Sequence, residues 1–486
     1  MDCIGMDALP EGVVQHILSQ VSNARDVAAC AGVSRCWREC VPYLPSLYFP
    51  RGAFEGSASG GGGGTEAAVA AADEAIGRMV AAAARLEELV VYCPFSIGLL
   101  PRWLEARGAT LRLLEMRVDS SVDMHGHLDC LALAPGLQEL RLWGLSMSRP
   151  PAWGPMERLR VLEVVGAVVM DSAVSGAVAA CPNLTDLAML GCECSGEVAI
   201  SLPLLERCRL DFVGGAGSCS LKLAAPRVES LEVQGFGWIS LQGGAGNRLR
   251  HLIISKNVGA VYQVEMGKLL VLEQLQLRGV QWSWSAITSL LLCASEVKHL
   301  VMKVEFCGDY DALQPFPEVD LVEFFNSHPK LRKFEIHGAM FAALCQKNSL
   351  KKAYAVANFD LPMQLDSRFV IPCLEEILIT VRSPLNAEQK LSTLESLVRY
   401  SPRLRKMVIR VSQMKNCHDA ADDFFEEICK FAYMNNGRIL DLAVLTSSFS
   451  FFAIASQSLA AIPVFQSRLR LITIPCSRVS TLKQAR

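Results

Sequence analysis

One arrangement of apolar and variable positions recurs along most of this chain. A leucine or valine is followed by two variable residues, an aliphatic residue, one variable residue and a second aliphatic residue. It reads LEELVV from Leu86, LRLLEM from Leu111, LQELRL from Leu137, LRVLEV from Leu159 and LTDLAM from Leu184. It continues as LERCRL from Leu205, VESLEV from Val228, LRHLII from Leu249, LEQLQL from Leu272 and VKHLVM from Val297. LRKFEI from Leu331, LEEILI from Leu374 and LRKMVI from Leu404 close the series, with a degenerate copy from Leu350. Most neighbouring copies start 19–26 residues apart, with wider steps from Val297 to Leu331 and from Leu374 to Leu404.

Within each copy the last two aliphatic positions alternate with period two, so both face one side of a short strand. The first leucine precedes the strand and turns inward. One such unit cannot bury its apolar edge, whereas stacked units share a continuous core and a parallel sheet, and this spacing is that of leucine-rich repeats. Helical patterns fill the gaps at 173–180, 287–294, 321–327 and 391–400, and Pro182, Pro329 and Pro402 stop helices just before the next strand. The expected fold class is therefore α/β, a curved parallel sheet with outer helices.

The first fifty residues follow a different rhythm. LPEGVVQHILSQV places Leu9, Val13 and Ile17 with Val14, Leu18 and Val21 on one helical stripe, with Pro10 and Glu11 in the first turn. A second helix is expected from Asn23, with Asp26 as a capping partner, through Val27 to Gly32, and Ser34 is placed to cap a third helix carrying Trp37. Three short helices cannot cover this much apolar surface alone, which implies a partner protein or the adjoining repeats.

Composition narrows the picture. The 486 residues are 51% hydrophobic and carry a formal charge of −2, which argues against nucleic-acid binding driven by bulk charge. The N-terminus has neither a basic nor an apolar leader segment, and the 18 scattered cysteines read as reduced, mostly buried thiols. The uncharged stretch 442–465 has membrane-spanning length but is studded with Ser, Thr and Gln and ends near Pro463, so no membrane partner is expected. A Gly/Ser-rich segment, GSASGGGGGT, runs into an Ala-rich lead-in helix.

LPEGVVQHILSQV followed by ARDVAACAGVSRCWREC resembles the F-box, with Leu9, Pro10, Ile17, Leu18, Asp26, Val27, Val33, Trp37 and Arg38 on its pattern. Arg25-Asp26-Val27 stands where Asp-Leu is commoner, and Ser34 replaces the usual cysteine. With the repeats, nearly the whole chain resembles a plant-type F-box/leucine-rich-repeat protein. The organisation expected is a three-helix F-box at 6–50, a linker and lead-in helix at 51–78, a repeat solenoid at 79–438 and an atypical tail at 439–486. The resemblance implies a non-catalytic substrate-recognition subunit of an SCF ubiquitin ligase, in the nucleus and/or cytoplasm. The F-box would dock on a Skp-family adaptor, and through it on a cullin–RING scaffold, by Leu9, Pro10, Val13, Ile17, Leu18, Val27, Val33 and Trp37. Two rivals remain, a small-molecule sensor with a pocket in the solenoid and a repeat scaffold outside any ligase.

Candidate chemistry adds little. Cys36 and Cys40 lie four apart without a second Cys/His pair at finger spacing, His125 and His127 in DMHGHLD sit where an inter-repeat loop is expected, and the GGAG segments lack a phosphate-loop lysine. No catalytic residue, metal or cofactor is expected. The variable strand positions offer the binding face. There the target, a protein of unknown identity, is expected to meet Trp143, Arg207, Arg209, His251, Arg278, His299, Lys303, Lys333 and His337.

Overall fold

The structure, a computed structural model, describes residues 9–21, 23–54, 64–120, 128–194, 196–213, 219–244, 246–308, 314–347, 369–411, 418–435, 441–446 and 469–473. The chain divides into two compact units, Met1–Ala245 and Gly246–Arg486.

Unit 1 opens with α1 (Glu11–Ser19), α2 (Ala24–Cys30) and α3 (Arg35–Cys40). Pro10 is extended at the head of α1, and Glu11 lies in its first turn, where the helix dipole favours a carboxylate. The Asn23 side chain accepts from the Arg25 amide at 2.9 Å, and the Ser34 hydroxyl accepts from the Trp37 amide at 3.4 Å. Asp26 is exposed, and α2 ends at Cys30, two residues short of Gly32. The three helices close over Val14, Leu18, Val27, Trp37, Cys40 and Leu44.

The chain then enters a sheet. Strand β1 (Ser46–Phe49) pairs in parallel with β2 (Glu88–Val91), in the register Ser46 to Glu88 through Phe49 to Val91. Helix α4 (Gly64–Ala82) lies between the two in sequence, so residues 55–63, which fall outside the described residues, interrupt one strand–helix–strand unit. Met79 packs on the helical cluster, the Ala84 amide donates to Pro42 O at 2.5 Å, and Arg25 Nη1 donates to Ala53 O at 3.1 Å.

The sheet of unit 1 continues, all parallel, through β3 (Leu113–Arg117), β4 (Glu139–Trp143), β5 (Val161–Val165), β6 (Asp186–Cys192), β7 (Arg207–Phe212) and β8 (Ser230–Gln234). Each strand from β2 onward carries one copy of the repeated pattern, and its three core positions are buried, as at Leu86, Leu89 and Val91. Helix α5 (Leu100–Arg107) packs on α4, and helix α6 (Asp171–Ala179) packs on the segment Glu197–Ser201.

The expectation of outer helices needs correction between residues 197 and 242. There the spacers are themselves parallel strands, Glu197–Ser201, Ser220–Ala224 and Trp238–Gln242. Their sequences, EVAIS, SLKLA and WISLQ, alternate with period two, burying Val198 and Ile200, Leu221 and Leu223, and Ile239. Gly235 follows β8 at φ +97°, where an added Cβ would meet Phe212 O at 1.9 Å, so this turn tolerates only glycine.

Unit 2 repeats the arrangement with β9 (His251–Val261), β10 (Gln274–Trp282), β11 (His299–Cys307), β12 (Lys333–His337), β13 (Glu376–Val381) and β14 (Lys406–Val411). Two further strands, β15 (Asp441–Thr446) and β16 (Leu469–Thr473), extend the parallel pairing past residue 438. Its helices are α7 (Trp284–Cys293), α8 (Leu321–Ser327), α9 (Gly338–Gln346), α10 (Ala387–Tyr400) and α11 (His418–Asn435). Ser283 caps α7 through the Ala286 amide, and Asp320 caps α8 through the Val322 and Glu323 amides. Among the described residues no helix is long and apolar enough to cross a membrane. Residues 447–465 and the degenerate copy at Leu350 lie outside them.

Candidate docking surfaces

The helical module sorts its predicted residues into two groups. Leu18, Val27 and Trp37 are interior, 0%, 2% and 6% exposed. They form the apolar centre that the three helices need in order to pack. Val13 and Ile17 are 43% and 36% exposed, Val33 is 51% exposed, and Pro10 is exposed at the head of α1. Leu9 is partly buried against the cluster. Positions 10, 13 and 17 recur at three and four residues, so they form one uncovered apolar stripe along α1. Tyr43, 55% exposed just after α3, is a further apolar side chain that pattern reading passed over, because it follows the last helix.

Cys40 is buried while Cys36 is half-buried, and burial, then the neighbouring Cys36, pushes the Cys40 thiol up. Among the described residues, no group of three or more His, Cys, Asp or Glu could hold a metal ion. His125 and His127 lie outside those residues.

On the exposed side of the unit 1 sheet, charges meet across strands. Arg141 lies 2.9 Å from Glu139, 3.6 Å from Glu115 and 3.8 Å from Glu163, so one guanidinium serves three carboxylates. Trp143 is half-buried, its ring 5.8 Å from Tyr92, which in turn lies 5.7 Å from Tyr48. The Tyr92 hydroxyl donates to Glu115, and burial followed by that contact pushes its phenol up. Tyr48 was hidden in sequence because it precedes the first full copy of the pattern. Arg207 and Arg209 are exposed, the first paired with Asp186 and the second 3.3 Å from Glu232.

The other predicted residues share the exposed side of unit 2. His251, Gln274, His299, Lys333, Glu376 and Lys406 occupy one register position on six consecutive strands. His299 is half-buried, and burial, then the positive Lys333, lowers its pKa. Lys333 lies 3.0 Å from Glu376, and Lys303 lies 2.7 Å from Glu335. Burial opposes the charge on Glu335, but His337 and Lys303 outweigh it and hold its carboxyl down to about 2. The Arg278 guanidinium donates to Gln276.

Unit 2 also contains a cavity of about 310 Å³, walled by α7 and α8 and the apolar side of β11 and β12. Trp284, Met302, Phe324 and Phe334 supply its apolar surface, and Glu323 and Lys347 are among its charged residues.

Comparison with known proteins bears on the helical module and on the whole chain. Residues 6–49 match the F-box-like family model. The chain is 49% identical over 436 residues to F-box protein At1g10780 of Arabidopsis thaliana, an alignment that covers 88% of this chain and 98% of that protein.

Proposed function

The chain belongs to the F-box proteins, and from that premise we propose that it is the non-catalytic substrate-recognition subunit of an SCF E3 ubiquitin ligase. The stripe Pro10–Val13–Ile17 carries the reading, since α1 presents apolar side chains that no described residue of the module covers. In this reading the stripe, with Val33 and Leu9, docks on a Skp-family adaptor and through it on a cullin–RING scaffold. Leu18, Val27 and Trp37 hold the helices that present it.

The parallel-strand units are read as leucine-rich repeats, and the exposed side of their sheet as the surface that holds a target protein. The receptor breaks and makes no bond. It raises the local concentration of target at the ubiquitin-charged enzyme, turning a bimolecular encounter into a tethered one. The proposed location is the nucleus and/or cytoplasm.

The test is co-purification with a plant Skp-family adaptor. The double variant Val13→Asp/Ile17→Asp should lose adaptor with its circular dichroism unchanged, and full retention of adaptor would sink the assignment. A second reading, target capture that depends on a small molecule, draws on the cavity between α7, α8 and the sheet. Capture that requires an added metabolite would favour it.

A further inference from the structure

The cavity of unit 2 sits at one of the two long spacers of the repeat, between β11 and β12. In that spacer Pro315 and Pro317 have a fixed φ and no amide to donate, and residues 314–320 form no helix. The stretch is pinned at both ends instead. The Gln314 amide donates to Cys307 O at 2.7 Å, and the Leu321 amide to Lys347 O at 3.3 Å. Its last residues complete the wall made by α7, α8 and the sheet, and the space of about 310 Å³ holds about ten water-sized groups. Met302 and Ile336 point into it, so Lys303 and His337, one residue on, point to the opposite side of the sheet. The cavity thus lies behind the face read as the target surface.

Most polar side chains of the lining are already engaged. The Thr288 hydroxyl donates to Trp284 O at 3.0 Å and the Ser327 hydroxyl to Glu323 O at 2.8 Å. Asp320 accepts from two amides of α8, and the His328 ring nitrogens lie 2.8 Å from Phe324 O and 3.3 Å from Leu291 O. An occupant therefore meets apolar and aromatic surface inside, from Trp284, Phe324 and Phe334, and charge only at the exposed Glu318, Glu323 and Lys347. None of these three has an ion-pair partner among the described residues. Two carboxylates, with Asp320 behind them, outnumber one ammonium, so the polar end of a matching molecule is positive. Aromatic faces favour a cation as well.

We propose that this cavity binds a small amphipathic amine, an aromatic or branched apolar body ending in one protonated nitrogen. The body fills the space against Trp284 and Phe334, and the nitrogen meets Glu318 and Glu323 at the rim. Any link to target capture rests on the metabolite-dependent reading above, whereas the site itself stands on the cavity and its charges.

The experiment is calorimetric titration of the full chain with three probes of one shape, 3-phenylpropylamine, 3-phenylpropanol and 3-phenylpropionate. Saturable binding of the amine is expected, with a Kd on the order of 1 mM or tighter. The alcohol should bind roughly fivefold more weakly, and the acid more weakly still. The double variant Glu318→Gln/Glu323→Gln should bring the amine down to the affinity of the alcohol and leave the alcohol unmoved. Glu232→Gln, an exposed carboxylate of unit 1, should change neither. Leu291→Trp, which fills the cavity, should abolish both. The glutamine substitutions lie at exposed positions and should melt with the parent, which keeps the test decisive even where Leu291→Trp misfolds. No saturable binding of the amine up to about 20 mM, or equal affinity for amine and alcohol, would overturn the proposal. Closure of the cavity by another segment of this chain would register as the first of these results. Adaptor capture uses none of these residues. Its loss with amine binding intact would therefore sink the ligase reading alone, and the reverse result would sink the amine site alone.

Discussion

Leu18 of α1 and Trp37 of α3 meet in one buried cluster, and the Trp37 indole Nε1–H, shielded from water, has no acceptor among the described residues. The indole thus supplies volume rather than a hydrogen bond. Trp37→Ala should unfold the helical module, with a loss of about 3–5 kcal/mol. Trp37→Phe, which keeps most of the volume and deletes the orphaned donor, should cost about 1 kcal/mol. Limited proteolysis of the N-terminal region distinguishes the two. Equal protection of Trp37→Ala and the parent would contradict the core assignment.

Arg141 lies within 4 Å of Glu115, Glu139 and Glu163, and its side chain is 36% exposed. Solvent screening therefore limits each contact. Arg141→Met should destabilise unit 1 by roughly 1 kcal/mol, because three carboxylates then face one another, and Glu139→Gln in the same chain should recover part of that loss. Urea midpoints at low and high salt provide the measurement, and the deficit should shrink at high salt.

Glu335 gives a prediction with a defined pH window. Its carboxyl is held down to about 2 in the folded chain, below its value when unfolded. A depressed folded pKa contributes stability that is complete above the unfolded pKa and is lost as pH falls through the folded one. The stability gap between the parent and Glu335→Gln should be present at about pH 5 and should fall away as pH drops toward and below about 2. A gap independent of pH over that range would show that Lys303 and His337 do not stabilise the charge.

The interior thiols should be inert. Burial pushes Cys93, Cys181, Cys208, Cys345 and Cys429 up to about 12, so at pH 8 they remain protonated as well as covered. Alkylation of the native protein followed by mass spectrometry should spare these five, and urea should expose them all. Among the described thiols, the half-buried Cys30, Cys36 and Cys373 should be modified first.

The parallel sheet was legible because burial acts on every copy of the pattern in the same way, so Leu86, Leu159 and Leu331 each reveal the same geometry. The outer strands between 197 and 242 also alternate with period two, but a short apolar run beside a strong neighbouring pattern is easily passed over. Trp37 was harder, because a helix spaces its core residues and its docking residues alike. The stripe that united Val13 and Ile17 with Val14 and Leu18 divides in the structure by one helical step, with one pair exposed and the other interior. The pairing of Arg141 with three carboxylates depends on register. The copies of the pattern supply that register, since Glu115, Arg141 and Glu163 each stand four residues after the first leucine of their copy, but which charged side chains then meet is a matter of their rotamers.

Strand β1 lies inside the segment that matches the F-box-like model, yet its backbone is bonded to β2. The three helices are thus a flange joined to the first rung of the sheet, and on the proposed reading the adaptor would sit on that flange. Lengthening or shortening residues 55–63 should leave their bearing on the strands of unit 1 unchanged, since Ser46–Phe49 and Glu88–Val91 stay in register. A lysine on any protein seated on those strands would then sit at a fixed offset from the adaptor. Which lysines are modified would be decided by that offset rather than by the swing of a tether.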